Sequence, residues 1–502
     1  MSARDSLWIK SPHEAERQQR LPVTRSARLA VTALASMLAA CTLGPDYSRP
    51  DVEVPAAYRS QNASPTPAPS NAEIAGQHWW QALQDPALDT LIAESLTNNQ
   101  DLLAATARID EYYGILGTTR SAMFPQVGGE IDGARQRASE RTNTGASPRN
   151  PFNSVQADVF ASWEIDLFGR VRRQTEAARA NLLATEEARR GVVLSLTAAV
   201  ANGYINLRDL DQQLEVAKAT LESRLRAFEL FDKRYKGGVV SELEYSQARS
   251  EYASALAAVP TIEQAIALQE NALSVIVGRN PGPIARGKRI DQLIPLAVPS
   301  GLPSDLLNRR PDVLQAEQNL VAANANIGAA RALYFPSISL TGLFGGASTS
   351  LNGLFSGPGR VWSFAANATM PIFTAGNISG QVQAAEARQQ QALAQYRKAI
   401  QTAFRETDDA LIGLQKTQAA RDAVFTRVDA LRSYSRLARL RYDGGYTSYL
   451  EVLDAERSLF SAELQLAQSQ ADALTQFVNI YKAIGGSWQV SDDEGAPRPA
   501  AH

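Results

Sequence analysis

Tyr235-Lys236-Gly237-Gly238, followed by Ser241-Glu242-Leu243-Glu244, returns as Tyr442-Asp443-Gly444-Gly445, followed by Ser448-Tyr449-Leu450-Glu451. The two stretches lie 442 − 235 = 207 residues apart. Each reads as a reversal between two helices, because double glycine lets the chain turn back and Ser-x-x-Glu is the pattern of a capping box. Upstream, Arg120-Ser121-Ala122-Met123-Phe124-Pro125 likewise returns as Arg331-Ala332-Leu333-Tyr334-Phe335-Pro336, here 335 − 124 = 211 residues apart. A chain written twice predicts two like units and pseudo-symmetry, as in channels built around an axis.

The elements follow from the spaces between these markers. No proline interrupts Val171 to Tyr235, about 65 residues, which as one helix would measure ~98 Å. Within it Val193, Val200, Leu207, Leu214, Leu221 and Phe228 recur every seventh residue, with Leu196, Gly203, Leu210 and Ala217 as a companion seam. Heptads sustained this far predict coiled-coil packing. Shorter helices are expected over Ser241 to Val277 and over Asp89 to Ala122, the latter opened by Asp85-Pro86 as N-cap and first turn. Placed end to end, the two would match the long helix. Pro260 predicts a kink.

After Phe124-Pro125 the period changes from 3.6 to 2. Val155, Ala157, Val159, Ala161, Trp163, Ile165 and Leu167 alternate with Gln156, Asp158, Phe160, Ser162, Glu164 and Asp166, Phe160 being the exception on the polar side. A weaker strand covers Gln126 to about Arg135, so the pair reads as a hairpin with a long polar loop. The second copy repeats it with Ile338, Leu340, Gly342 and Phe344, a Gly/Ser loop through Gly359, and Trp362, Phe364, Ala366, Ala368 and Met370. The fold class is therefore mainly α with a small β part: duplicated long coiled-coil hairpins plus four β-strands per chain. Four strands with one apolar face cannot close a membrane barrel, and lipid tolerates no open sheet edge, so several chains would have to contribute. Three copies would bring 3 × 4 = 12 strands.

The first 40 residues hold six Lys/Arg and three acids, then an apolar run from Leu29 to Ala40 that is too short to span a bilayer but suits a signal-peptide core. Leu38-Ala39-Ala40-Cys41 resembles a bacterial lipobox, in which the cysteine receives lipid and becomes the first residue after cleavage. Thr42 follows, so the aspartate that retains some lipoproteins in the inner membrane is absent and outer-membrane sorting is expected. The single cysteine excludes a disulfide within one chain. The chain thus divides into a signal peptide (1–40), a lipidated tether and periplasmic segment (41–78), a first repeat (79–279), an inter-repeat segment (280–303), a second repeat (304–486) and a tail (487–502) whose composition predicts disorder.

A net charge of −2 gives no field for polyanions, so nucleic acid is not an expected partner. The three histidines, His13, His78 and His502, form no metal cluster with the lone cysteine, and four methionines do not support a soft-metal relay. No catalytic cluster or nucleotide-binding loop stands out, so neither an enzyme nor a cofactor is expected beyond the covalent lipid on Cys41.

Several motifs together resemble the TolC-family outer-membrane factors, in the lipoprotein subgroup that serves tripartite efflux pumps of the RND type. They are Gly44-Pro45-Asp46-Tyr47, Trp79-Trp80, Asp85-Pro86, Trp163 through Arg170, Arg309-Arg310-Pro311-Asp312-Val313, Phe335-Pro336, and Tyr442 through Leu459. The resemblance implies a homotrimer with a 12-stranded β-barrel in the outer membrane and an α-helical tunnel in the periplasm. It implies as partners a periplasmic adaptor protein, an inner-membrane RND-type pump and outer-membrane lipid. The chain would be the passive exit duct of an efflux system, lipid-anchored in the outer membrane and extending into the periplasm. The alternative is a periplasmic adaptor lipoprotein, which shares the lipobox and a helical hairpin but needs only one hairpin, flanked by compact β-domains.

The resemblance also implies a gate near the helix turns, at Leu450, Glu451, Asp454 and Arg457, with Tyr442 and Glu244 as tyrosine and acid partners. The turns Gly237-Gly238-Val239 and Gly444-Gly445-Tyr446 would meet the adaptor, although family members commonly carry Val-Gly-Leu or Val-Gly-Thr there. Read from the residues alone, Glu244 and Glu451 are both capping-box acids. Asp454 lies beyond capping reach and forms an i,i+3 pair with Arg457. At the 207-residue displacement Asp454 corresponds to Gln247 and Arg457 to Ser250, so only the second copy carries the charged pair.

Overall fold

The computed structural model describes residues 42–55, 58, 79–137, 139, 141, 151–293 and 306–486. Cys41, the expected signal peptide, His78 and the tail 487–502 lie outside these residues, as does much of the inter-repeat segment. Helices α1 (Pro86–Asn98) and α2 (Gln100–Ser121) lead into strands β1 (Gln126–Gln136) and β2 (Phe152–Ile165). Helices α3 (Arg170–Lys236) and α4 (Glu242–Val277) complete the first copy. The second contains α5 (Leu306–Arg309), α6 (Pro311–Ala332), β3 (Ser337–Ser348), β4 (Arg360–Thr369), α7 (Asn377–Asp443) and α8 (Tyr449–Ala483). Both long helices have 67 residues, ~100 Å each. Their bounds are displaced by 377 − 170 = 207 and 443 − 236 = 207 residues.

The helix expected over Asp89 to Ala122 is two helices. Asn99 breaks it by accepting the Leu102 N–H at 2.9 Å, as an N-cap, and by donating its amide to the Ile276 carbonyl at 2.8 Å. One side chain thereby starts α2 and satisfies a C-terminal carbonyl of α4. The second copy repeats the joint with a different residue. Arg310, between α5 and α6, donates to the Ala483 carbonyl of α8 at 2.8 Å. The positions correspond by the two displacements already noted, 310 − 99 = 211 and 483 − 276 = 207. Pro260 lies inside α4, which runs unbroken across it.

The chain divides into two compact units. The helical unit is organised around Trp79, Trp80, Leu88, Ile92, Val200, Tyr204, Leu273, Phe477 and Tyr481. Asp85 is fully buried there and caps α1 through the Ala87 N–H. It also accepts from the Tyr204 hydroxyl and the Lys288 N–H, tying three segments with one carboxylate. The described part of the expected tether is hydrogen-bonded to α5, α6 and α7. The Pro45 carbonyl accepts from Asn324, Tyr47 donates to Glu317, and Arg49 reaches Glu317, Asn308 and the Tyr396 hydroxyl.

The other unit contains one antiparallel sheet in the order β1-β2-β3-β4, the two hairpins joined through β2 and β3. The register places Val127 beside Ala161, Val159 beside Phe344, and Phe344 beside Trp362, so one face is apolar from edge to edge. On that face Ile131 is 83% exposed and Phe364 79%. Phe160, the aromatic on the polar side, lies over Gly128, where an added Cβ would meet its ring at 2.5 Å. The run after β2 is a helix start. Asp166 accepts the N–H groups of Val171 and Arg172, and Glu164 takes a two-pronged hydrogen bond from Arg170.

Candidate functional site

Both reversals close with the same backbone bonds. Gly237, Gly238 and Val239 donate to the carbonyls of Lys233, Tyr235 and Arg234, while Gly444, Gly445 and Tyr446 donate to Leu440, Tyr442 and Arg441. Gly238 and Gly445 take φ of +70° and +77°, which a side chain would resist. Val239 and Tyr446 stand exposed at the two turns.

The helix starts differ. Ser241 and Glu244 form the complete capping box that the sequence predicts. Ser448 and Glu451 do not, contrary to expectation, since the Ser448 side chain caps nothing. The Glu451 carboxylate accepts instead from Arg441 at 2.9 Å and from the Thr447 hydroxyl. Thr447 stands where the first copy has Val240, which offers no hydroxyl. Arg441 corresponds to Arg234, which turns away from its own hairpin and donates to the Tyr442 hydroxyl at 3.1 Å.

Beneath the turns the two hairpins share a core of Phe231, Ala248, Ala438, Tyr449, Val452 and Leu453. Phe231 and Tyr449 pack with ring centroids 4.2 Å apart, and Tyr442 lies 5.2 Å from Tyr449. Burial, helped by Glu456, pushes the Tyr449 hydroxyl up to about 12, so it stays neutral. In the first hairpin Tyr235 stacks instead on its neighbour Tyr245 at 4.9 Å.

Residues 449, 452, 453 and 455 face this core, which leaves Leu450, Asp454 and Arg457 exposed on the opposite stripe of α8. The structure therefore puts these three expected gate residues on one surface, with Glu451 beside them. It does not pair Asp454 with Arg457. Arg457 reaches across to α4 and donates to Glu251, its Nε at 2.6 Å. The Tyr434 pKa is raised by desolvation first and by the Asp454 and Glu451 charges next. Glu244 is spent on its own cap.

Glu251 is the residue that the sequence reading missed. It is 7% exposed and pairs with buried Arg224 of α3 as well as with Arg457 of α8, so one carboxylate ties both hairpins. Burial lowers the Arg224 pKa, opposed by Glu456, which itself pairs with Arg439 at 2.9 Å. A signal was available in the pattern. Ala248, Glu251 and Ala255 share one buried stripe, and a charge on such a stripe needs a partner from another element.

The sequence pattern of the outer membrane efflux protein family matches residues 91–279 and 302–486, that is, both copies. The chain belongs to this family. The efflux protein is 39% identical to the probable efflux pump outer membrane protein TtgC of Pseudomonas putida, over 92% of this chain and 95% of that one. It is 36% identical to the cation efflux system protein CusC of Escherichia coli, over 91% of this chain and 98% of that one. Among solved structures it matches the MtrE outer membrane channel of Neisseria gonorrhoeae in its open state, with a TM-score of 0.79 and 33% identity over 89% of this chain and 98% of that one. The efflux protein is thus an outer-membrane efflux channel of the TolC type and not an enzyme. The adaptor alternative falls with these matches, which span both hairpins.

Proposed function

We propose that this efflux protein acts as a homotrimer, three four-stranded sheets closing a 12-stranded barrel and the paired hairpins forming a periplasmic tunnel. The observation that carries this reading is the sheet's register. It leaves an apolar face exposed and two strands, β1 and β4, as edges. Lipid tolerates an apolar face but no open edge, and edge-to-edge closure across copies removes every edge. The trimer would pass small molecules received from an RND-type pump and its adaptor, which would meet the turns at Val239 and Tyr446.

Closure would occur at the helix tips, where Leu450, Asp454 and Arg457 present an outward stripe. Three copies of Asp454 near one axis would repel one another and favour cations. Opening would separate the hairpins that Glu251 and the Arg234–Tyr442 bond hold together. Lipid on Cys41 would anchor the chain. In support, Leu43, two residues on, donates to the Phe168 carbonyl just after β2.

Single-channel recording of the purified protein in planar bilayers tests this. Discrete steps from a trimeric species are expected, and a trimer that never conducts would overturn the reading. The same preparation should carry labelled palmitate that Cys41→Ser loses; retention of label in the variant would refute the anchor.

A further inference from the structure

The charged residues of the four strands are sorted by face. Glu130 is registered opposite Asp158, and Asp132 opposite Gln156, so Glu130, Asp132, Asp158 and Glu164 all share the polar face. Arg135 and Arg360 lie on the other face. Arg135 follows Val127 and Ile131 at successive steps of four, while Arg360, opposite Gly346, precedes Trp362 and Phe364 on the same side. Both arginines are exposed, and among the described residues neither side chain has a hydrogen-bond or ion-pair partner. No carboxylate of the sheet can reach them, because every one points to the opposite face.

Their level along the strands is also defined. β1 begins just after α2 and β4 ends just before α7, so the ends that carry Arg135 and Arg360 are those joined to the hairpin connections. From Met370 back to Arg360 is ten strand steps, ~33 Å, and from Val127 to Arg135 is eight, ~26 Å. A strand tilted by ~40° through an apolar band ~25 Å tall uses about that length. The guanidiniums therefore stand at the far border of the apolar face. An arginine is costly in the middle of such a band but tolerated at its edge, where it can reach polar headgroups. At the near border, around Val127, Ile165, Ile338 and Ala368, this face has no arginine or lysine.

We propose that Arg135 and Arg360 form a binding site for the phosphate groups of a phosphorylated glycolipid in the outer leaflet. The proposal rests on the barrel reading above. β1 and β4 are the two edges of the sheet, so when copies close edge to edge the two arginines come to the same seam, from opposite sides. A guanidinium binds a phosphate through two parallel N–H bonds, which ammonium groups and amides cannot reproduce. The occupant is a lipid because the exposed face beside these arginines, Ile131, Trp362 and Phe364 included, is apolar and can take acyl chains; one guanidinium from each side of the seam suits a head group with two phosphates.

The test is retention of defined lipids by the full-length protein, read by native mass spectrometry and thermal unfolding. The probes are a bis-phosphorylated hexa-acyl glycolipid, its dephosphorylated form, phosphatidylglycerol and inorganic phosphate. The wild type should retain the phosphorylated glycolipid about tenfold better than the dephosphorylated form, and R135Q/R360Q should lose that preference, with R135K/R360K between them. An undiminished preference in R135Q/R360Q would overturn the site. Equal retention of phosphatidylglycerol, or equal protection by inorganic phosphate, would overturn the glycolipid as its occupant. Conductance of the same preparations separates this from the barrel reading. Steps that persist in R135Q/R360Q leave the duct standing whatever the lipid result, whereas a wild type without steps removes the barrel itself.

Discussion

In the first reversal Glu244 folds back onto Ser241 and the helix start is closed within its own hairpin. In the second, Glu451 holds the equivalent place but is taken by Arg441 and Thr447, and Ser448 is left without a capping role. The backbone bonds of the two turns match atom for atom at a displacement of 207 residues. The scaffold is therefore common to both, and the difference lies in a few side chains around it. The first turn is self-contained. The second turns its acids outward, and it borrows from its partner hairpin the arginine that binds Tyr442.

That division is sharpened most by removing Glu251, the carboxylate that joins the two halves. Glu251→Leu should cost about 3–5 kcal/mol, because it leaves buried Arg224 without its ion-pair partner. Chemical denaturation of the wild type and the variant measures this. Adding Arg224→Met should recover much of the loss, since the uncompensated charge is gone. A loss below ~1 kcal/mol would mean that the hairpins do not depend on the clamp.

A second asymmetry lies higher in the long helices. Asp209 of α3 is 1% exposed, while the matching residue of α7 is the exposed Lys416. Burial raises Asp209 to about 6, a bond from Gln213 opposes the shift and the charge of Asp472 adds to it. A carboxyl whose folded pKa lies above its unfolded value is favourable when protonated. Its contribution is fully present below the unfolded value of 3.8 and lost as pH rises through about 6. At pH 7.5 the ionised group then costs up to about 3 kcal/mol. Asp209→Asn should therefore stabilise the protein near pH 7.5, with a gain that shrinks as pH falls to 5. A gain independent of pH would place the effect elsewhere.

Much of this was legible in the sequence alone. The repeat, the long heptad helices, the two-residue alternation and the Asp85-Pro86 start all follow from periodicity and local chemistry. The break at Asn99 was not, because a single asparagine in a helical run acquires its meaning from the Ile276 carbonyl 177 residues away. The failed cap at Ser448 was hidden for the same reason. Ser-x-x-Glu is written identically in both copies, and only the competitors Arg441 and Thr447 decide where the second carboxylate goes. Arg457 looked like the natural partner of Asp454 at i,i+3, yet a buried Glu251 outcompetes an exposed aspartate for it, since leaving the buried acid unpaired costs far more.

The smallest change in stability should accompany the clearest functional split. Glu244→Ala removes a cap, worth about 1 kcal/mol, from a carboxylate whose bonds are all to Ser241. Asp454→Ala removes an exposed group and should barely alter stability. In bilayer recordings the order should reverse. Asp454 stands on the outward stripe with Leu450 and Arg457, so its loss should raise leak or open probability, while Glu244→Ala conducts as the wild type does. Equal conductance changes in the two variants would mean that the second hairpin has no special share in closure, and the divergence between the copies would then be one of capping alone.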